Sequence, residues 1–126
     1  MSLLETIEEE KVVDLIIEGI REKKGKEIIS IDLSKLHNAV CRHFVICHGD
    51  SNTQVNAIAQ GVERVLEEKL NEKVWRKQGF ENAQWILLDY VDVVVHIFQK
   101  EYRDFYNLES LWADGKIKKI ENDFLN

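Results

Sequence analysis

The chain has 126 residues, 44% hydrophobic and 32% charged, with no proline, two cysteines and a formal charge of -6 from 17 basic against 23 acidic residues. That length fits a single domain over residues 1–126 that needs no disulfide or metal staple, and the aliphatic content excludes a disordered chain. No apolar run approaches the ~20 residues of a membrane span and no signal-like start is visible, so a soluble cytoplasmic protein is expected; the acidic balance disfavours a general nucleic-acid binder and suits a basic protein partner.

The spacing of Ile7, Val12, Val13, Leu15, Ile16, Ile17 and Ile20 predicts an amphipathic helix over 7–24. Glutamates crowd its first turn and Arg21, Lys23 and Lys24 its last, as the helix dipole favours, and Gly25 is the expected stop. Ile29, Ile31 and Leu33 alternate with Ser30 and Asp32, predicting a strand over 27–33; residues 34–40 read as irregular, and a second strand follows over 43–48. Cys41, His43, Cys47 and His48 invite a zinc reading. Strand alternation, however, puts Cys47 on the face of His43 and away from His48, so the ligands cannot converge and two reduced cysteines are expected.

Val55, Ile58, Ala59, Val62, Val65, Leu66 and Leu70 recur at three- and four-residue spacing, predicting a helix over 52–71; Ser51 followed by Gln54 is a capping-box pattern, with Asn52 or Thr53 as alternative caps. A short strand over 74–77, two strong strands over 84–89 and 92–98, and a helix over 101–113 complete the pattern. That last helix is expected to place Tyr102, Phe105, Leu108, Leu111 and Trp112 on one side. Residues 113–126 read as a frayed tail, with Phe124 and Leu125 as candidates to dock and Lys116, Lys118 and Lys119 as a solvated basic cluster. The fold class is α/β (α+β), a mixed sheet of about five strands flanked by helices; a helix linking two strands implies at least one parallel pairing.

With Tyr90-Val91 as a two-residue turn, Asp89 pairs with Asp92 and Leu88 with Val93. One face of this hairpin is then purely aliphatic (Ile86, Leu88, Val93, Val95, Ile97), whereas the other carries Trp85, Leu87, Asp89, Asp92, Val94 and His96. Such a mixed face is either covered by a polar part of the fold or offered to a partner, and Trp85 is either a core residue with a satisfied N–H or a binding anchor.

The run from Trp85 to Phe98, WILLDYVDVVVHIF, and the later FYNLESLW from Phe105 to Trp112 resemble the signature of the ribosome-silencing factor, or Iojap-like, family. Phe44 to Ser51 resembles its upstream block of an apolar strand, glycine and serine before a helix, so the likeness spans nearly the whole chain. The resemblance implies a nucleotidyltransferase-like fold without enzymatic activity or cofactor. It implies binding to the large ribosomal subunit through its protein L-fourteen, which blocks joining of the small subunit and lowers translation when nutrients are short. Carried over by position, it implies a partner surface of Trp85, Leu87, Asp89, Tyr90, Asp92 and His96, with ribosomal RNA as a secondary contact at most. The family usually has glycine where Val91 stands; a β-branched residue disfavours positive φ, so a different or shifted turn is expected. Arg42 and His43 likewise replace the Asp-Tyr of many members.

Two other readings stay open. Gly49-Asp50-Ser51 before a helix, with Asp89 and Asp92 downstream, resembles the Gly-Ser loop and magnesium-binding carboxylates of a nucleotidyltransferase. Against it, the two aspartates flank a turn instead of standing two apart on one strand, and no basic cluster converges there. The exposed ring surface of Tyr102, Phe105, Tyr106 and Trp112 would also suit a homodimer.

Overall fold

A computed structural model of the protein describes residues 3–121, with side chains from Glu8 onward. Phe124 and Leu125 therefore lie outside the described residues. In chain order the elements are α1 (Leu3–Glu22), β1 (Lys26–Asp32), β2 (His43–Gly49), α2 (Asn52–Leu70), β3 (Arg76–Gln78), β4 (Trp85–Asp89), β5 (Val93–Gln99), α3 (Lys100–Tyr106), α4 (Leu108–Leu111) and β6 (Lys116–Lys119). The strands form one mixed sheet in the order β3-β4-β5-β2-β1-β6, in which β2 and β5 are parallel and all other neighbours antiparallel.

Side-chain alternation sorts the apolar residues into two layers. Val45, Cys47, Ile86, Leu88, Val93, Val95 and Ile97 point to one face, which α1 and α2 cover with Val13, Ile16, Ile20, Val55, Ile58, Val62 and Leu66. Ile29, Ile31, Phe44, Ile46, Val94 and Phe98 point to the other, where Tyr102, Leu108 and Trp112 close over them. Both cysteines are free thiols, and Cys47 falls on the face that the alternation predicts, whereas Cys41, ahead of β2, packs against the opposite layer; burial pushes the thiol of Cys47 up to about 12. The Ser51 half of the α2 cap forms as read, Ser51 Oγ accepting the Gln54 N–H (3.1 Å), whereas the return bond shifts by one residue to Asp50. The Gln54 side chain accepts the Asp50 N–H and donates to the carbonyls of Lys23 and Lys24, tying the start of α2 to the end of α1.

The helices touch backbone to backbone. A Cβ on Gly19 would stand 2.8 Å from Val62 Cα and 2.9 Å from the Gly61 carbonyl oxygen, with no flexible side chain to yield. Gly19→Ala is therefore expected to force α1 and α2 apart. The overpacking cost of about 1–3 kcal/mol outweighs a helix-propensity gain of up to about 1 kcal/mol. Denaturant titration is expected to show a net loss of about 1–2 kcal/mol; a stabilised variant would contradict the packing.

Two expectations change, and β1 shows one irregularity. The tail is not wholly frayed: residues 116–119 form β6, a sixth strand antiparallel to β1, with Ile31 opposite Ile117. Its lysines are what an edge strand uses to discourage further pairing, and its main-chain hydrogen bonds leave no trace in side-chain pattern. The final helix is two helices, broken where Asn107 adopts a left-handed conformation (φ 46°). The break turns Phe105 and Leu111 out to solvent (79% and 74% exposed) while Leu108 stays buried, so the five residues expected on one side do not share it. Finally, β1 carries a bulge between Lys26 and Ile29, with Glu27 at φ 46°.

Candidate functional site

The hairpin of β4 and β5 pairs Asp89 with Val94, Leu88 with Val95, Leu87 with His96 and Trp85 with Phe98. Relative to the expected pairing the register moves by two residues, and the turn moves to Val91-Asp92. A two-residue shift preserves every side chain's face, so the aliphatic and mixed faces survive as read. Tyr90 does not join the mixed face. It packs against the α1–α2 layer, where burial, and then the nearby carboxylates of Glu63, Glu67 and Glu72, hold its phenol well above the usual range.

On the mixed face Trp85 is half-buried. Its ring stacks on Phe98 (4.9 Å between centroids) and lies 4.8 Å from Tyr106 of α3, whose own ring meets Phe105 at 5.2 Å. The indole N–H donates to Nδ1 of His96 (3.1 Å). Because an indole only donates, Nδ1 accepts and the neutral imidazole carries its proton on Nε2. His96 is 4% exposed and packs edge-on against Phe44 (4.6 Å). It is a support beneath Trp85. Leu87 and Asp89 continue the row at intermediate exposure, and Asp92 is exposed.

Burial pushes His96 down to about 3. An unfolded imidazole protonates near pH 6.5, so above that value His96 contributes nothing to the pH dependence. Below it the unfolded state binds a proton that the folded state refuses, and stability falls by up to about 1.4 kcal/mol per pH unit. His48 adds to the same slope, being lowered by burial and by Arg103. A loss of about 1–2 kcal/mol between pH 6.5 and 5 is expected. His96→Asn, which keeps an acceptor for the indole but cannot titrate, is expected to flatten the profile; an equally steep profile would contradict the assignment.

The turn itself is tightly specified. Val91 has φ +75°, and the Asp92 N–H donates to the Tyr90 carbonyl (3.0 Å), the hydrogen bond and torsion of the rare positive-φ γ-turn. A β-branched residue in that region stores on the order of 1–3 kcal/mol of strain. The turn is thus shifted by one residue and of another type, as expected, yet Val91 still takes positive φ, which the surrounding hydrogen bonds impose. Asp89 Oδ1 accepts the Val91 N–H (2.7 Å), and Tyr90 N–H donates to the Val93 carbonyl (2.9 Å). The Asp92 carbonyl accepts from both Arg42 (2.9 Å) and His43 (3.0 Å).

The sequence profile of a family described as "Ribosomal silencing factor during starvation" matches residues 6–126. The chain belongs to the ribosomal silencing factor family. It is 36% identical over 112 residues to the Ribosomal silencing factor of Halalkalibacterium halodurans (89% of this chain, 94% of that one). It is 38% identical over 100 residues to that of Bacillus subtilis (79% of this chain, 83% of that one). A crystal structure of a protein from Chromobacterium violaceum superposes with a TM-score of 0.78 at 35% identity, covering 90% of this chain and 94% of that one.

Within this ribosomal silencing factor fold, the residues of the nucleotidyltransferase reading stand apart. Gly49 lies at the end of β2 and Asp92 just before β5, which runs parallel to it. Seven strand residues, roughly 20 Å, therefore separate the Gly-Asp-Ser turn from the aspartates. Asp50 is paired with Lys26 and Asp89 holds the turn. Among the described residues no group of three His, Cys, Asp or Glu side chains could hold a metal ion, and no helix is long and apolar enough to cross a membrane.

Sequence reasoning missed Arg103. Buried at 7% exposure, it donates from Nε to Glu109 (2.8 Å) and sits with Nη1 2.9 Å from Nδ1 of His48 and 3.4 Å from the Lys26 carbonyl. One guanidinium thereby joins α3, α4, β1 and β2 and holds in place the cover whose Tyr106 flanks Trp85. Its partner Glu109 is six residues away, a spacing that carries no helical pairing signal.

Proposed function

We propose that the protein binds the large ribosomal subunit through its protein L-fourteen and, by filling the surface that the small subunit must occupy, blocks subunit joining and lowers translation in the cytoplasm under nutrient limitation. The observation that carries the reading is family membership along residues 6–126; the hairpin supports it physically. Its mixed face is only partly covered: Trp85, Leu87 and Asp89 stay half-open beside the exposed rings of Phe105 and Tyr106. A half-buried aromatic anchor with aliphatic neighbours supplies affinity, and exposed carboxylates on a chain of net charge -6 favour a basic partner. In this reading Trp85, Leu87, Asp89 and Asp92 make contact, whereas His96 supports Trp85 from beneath on the same face and Tyr90 anchors the ribbon on the opposite one. Occupancy alone suffices; no bond is made or broken.

Cosedimentation with purified subunits tests the proposal. The protein is expected to travel with large subunits and not with small ones, and to be displaced by free protein L-fourteen. Absence from the large-subunit fraction would overturn it. The exposure of Phe105, Tyr106 and Leu111 favours a second reading, self-association on the same side of the sheet, which light scattering of the free protein decides.

A further inference from the structure

We infer that Val91 is itself a docking contact: the hairpin holds this side chain in a strained turn so that it projects as an apolar knob into a recess of the basic ribosomal partner. The inference rests on the docking reading above and deepens it by naming a residue that sets specificity. Three observations carry it. Val91 is 57% exposed and belongs to neither of the two buried clusters, so the fold gains no core packing from it. Its backbone is nevertheless in a conformation that β-branched residues disfavour, with φ +75°. And the strain is over-determined, because the Asp89 carboxylate, the Tyr90 and Val93 carbonyls and the two N–H groups that the Asp92 carbonyl receives leave the tip no freedom to relax.

Strain maintained by its surroundings, at a position whose side chain does nothing for the core, is the pattern of a binding feature held ready for use. The carboxylates of Asp89 and Asp92 flank the knob, so the matching surface is an apolar socket with a basic rim. A partner that offered the cationic rim without the socket would have to leave Val91 in water or bury it against polar groups, and would be rejected.

The test compares Val91→Gly, Val91→Asn and Val91→Ile in the full chain, by thermal melting and by equilibrium binding to purified large subunits. Glycine and asparagine tolerate positive φ, so both variants are expected to melt about 2–4 °C higher. Both are also expected to bind about fivefold more weakly or worse. Isoleucine, which keeps the knob, is expected to stay within about twofold of wild-type affinity. Higher stability with lower affinity supports the inference. Glycine and asparagine variants that bind like wild type overturn it while leaving the docking reading standing, and lower melting points in both overturn it by making Val91 a folding contact. Failure of the wild-type chain itself to bind removes the docking reading and this inference with it.

Discussion

Replacing Arg103 with methionine is expected to destabilise the domain by about 2–3 kcal/mol, less than breaking a fully buried pair from one side, because the remaining Glu109 is part-exposed. Methionine fills much of the same volume, so the loss is electrostatic and not a cavity effect. Without the guanidinium, Glu109 loses its ion-pair partner, and the Nδ1 of His48, 2% exposed, is left with the more distant Glu27 carboxylate at 3.8 Å. The Lys26 carbonyl loses its long contact as well. In thermal melting the loss corresponds to a fall of roughly 10 °C for a chain of this size. Arg103→Lys is expected to recover only part of it, because an ammonium cannot address Glu109 and His48 as a planar fork does. A methionine variant within about 1 kcal/mol of wild type would show that α3 and α4 are held by the Tyr102, Leu108 and Trp112 packing alone.

The second large effect concerns binding. Trp85→Ala is expected to weaken large-subunit binding by more than about 1 kcal/mol. It removes half-open aromatic surface from the hairpin and takes the indole out of the three-ring cluster with Phe98 and Tyr106. Because the indole also packs within the fold, the same change is expected to lower stability by about 2–3 kcal/mol. Trp85→Phe separates the two roles. Phenylalanine keeps the stack but leaves His96 Nδ1 buried without its donor, so it is expected to cost about 1–2 kcal/mol of folding while retaining most of the affinity. Unchanged cosedimentation of a folded alanine variant would contradict the anchor role.

These effects locate what the sequence makes legible. The strands, α2 and the partition of the hairpin into an aliphatic and a mixed face are written in side-chain periodicity. The faces even survive the misplaced turn, because a register change of two residues is invisible to alternation. Whether Trp85 is a core residue or an open one was not legible, since the answer depends on Tyr106 and Phe98 arriving from distant elements; it packs on both rings and stays half-open, as the proposed anchor role requires. The split of the last helix had a signal in Asn107, a residue type that tolerates left-handed backbone, but the apolar spacing across it reads as one continuous stripe. Residues 116–119 carry no readable strand pattern because this edge strand is specified by backbone pairing alone, with all four side chains exposed. The Arg103 network joins residues 6 to 77 positions apart, and no local pattern encodes it.

The central claim is that the protein silences by occupancy, and subunit joining measures it most directly. Purified large subunits preincubated with the protein, then mixed with small subunits and separated on a sucrose gradient, are expected to remain free in proportion to the protein bound. A full yield of joined ribosomes that still carry the protein would contradict the account.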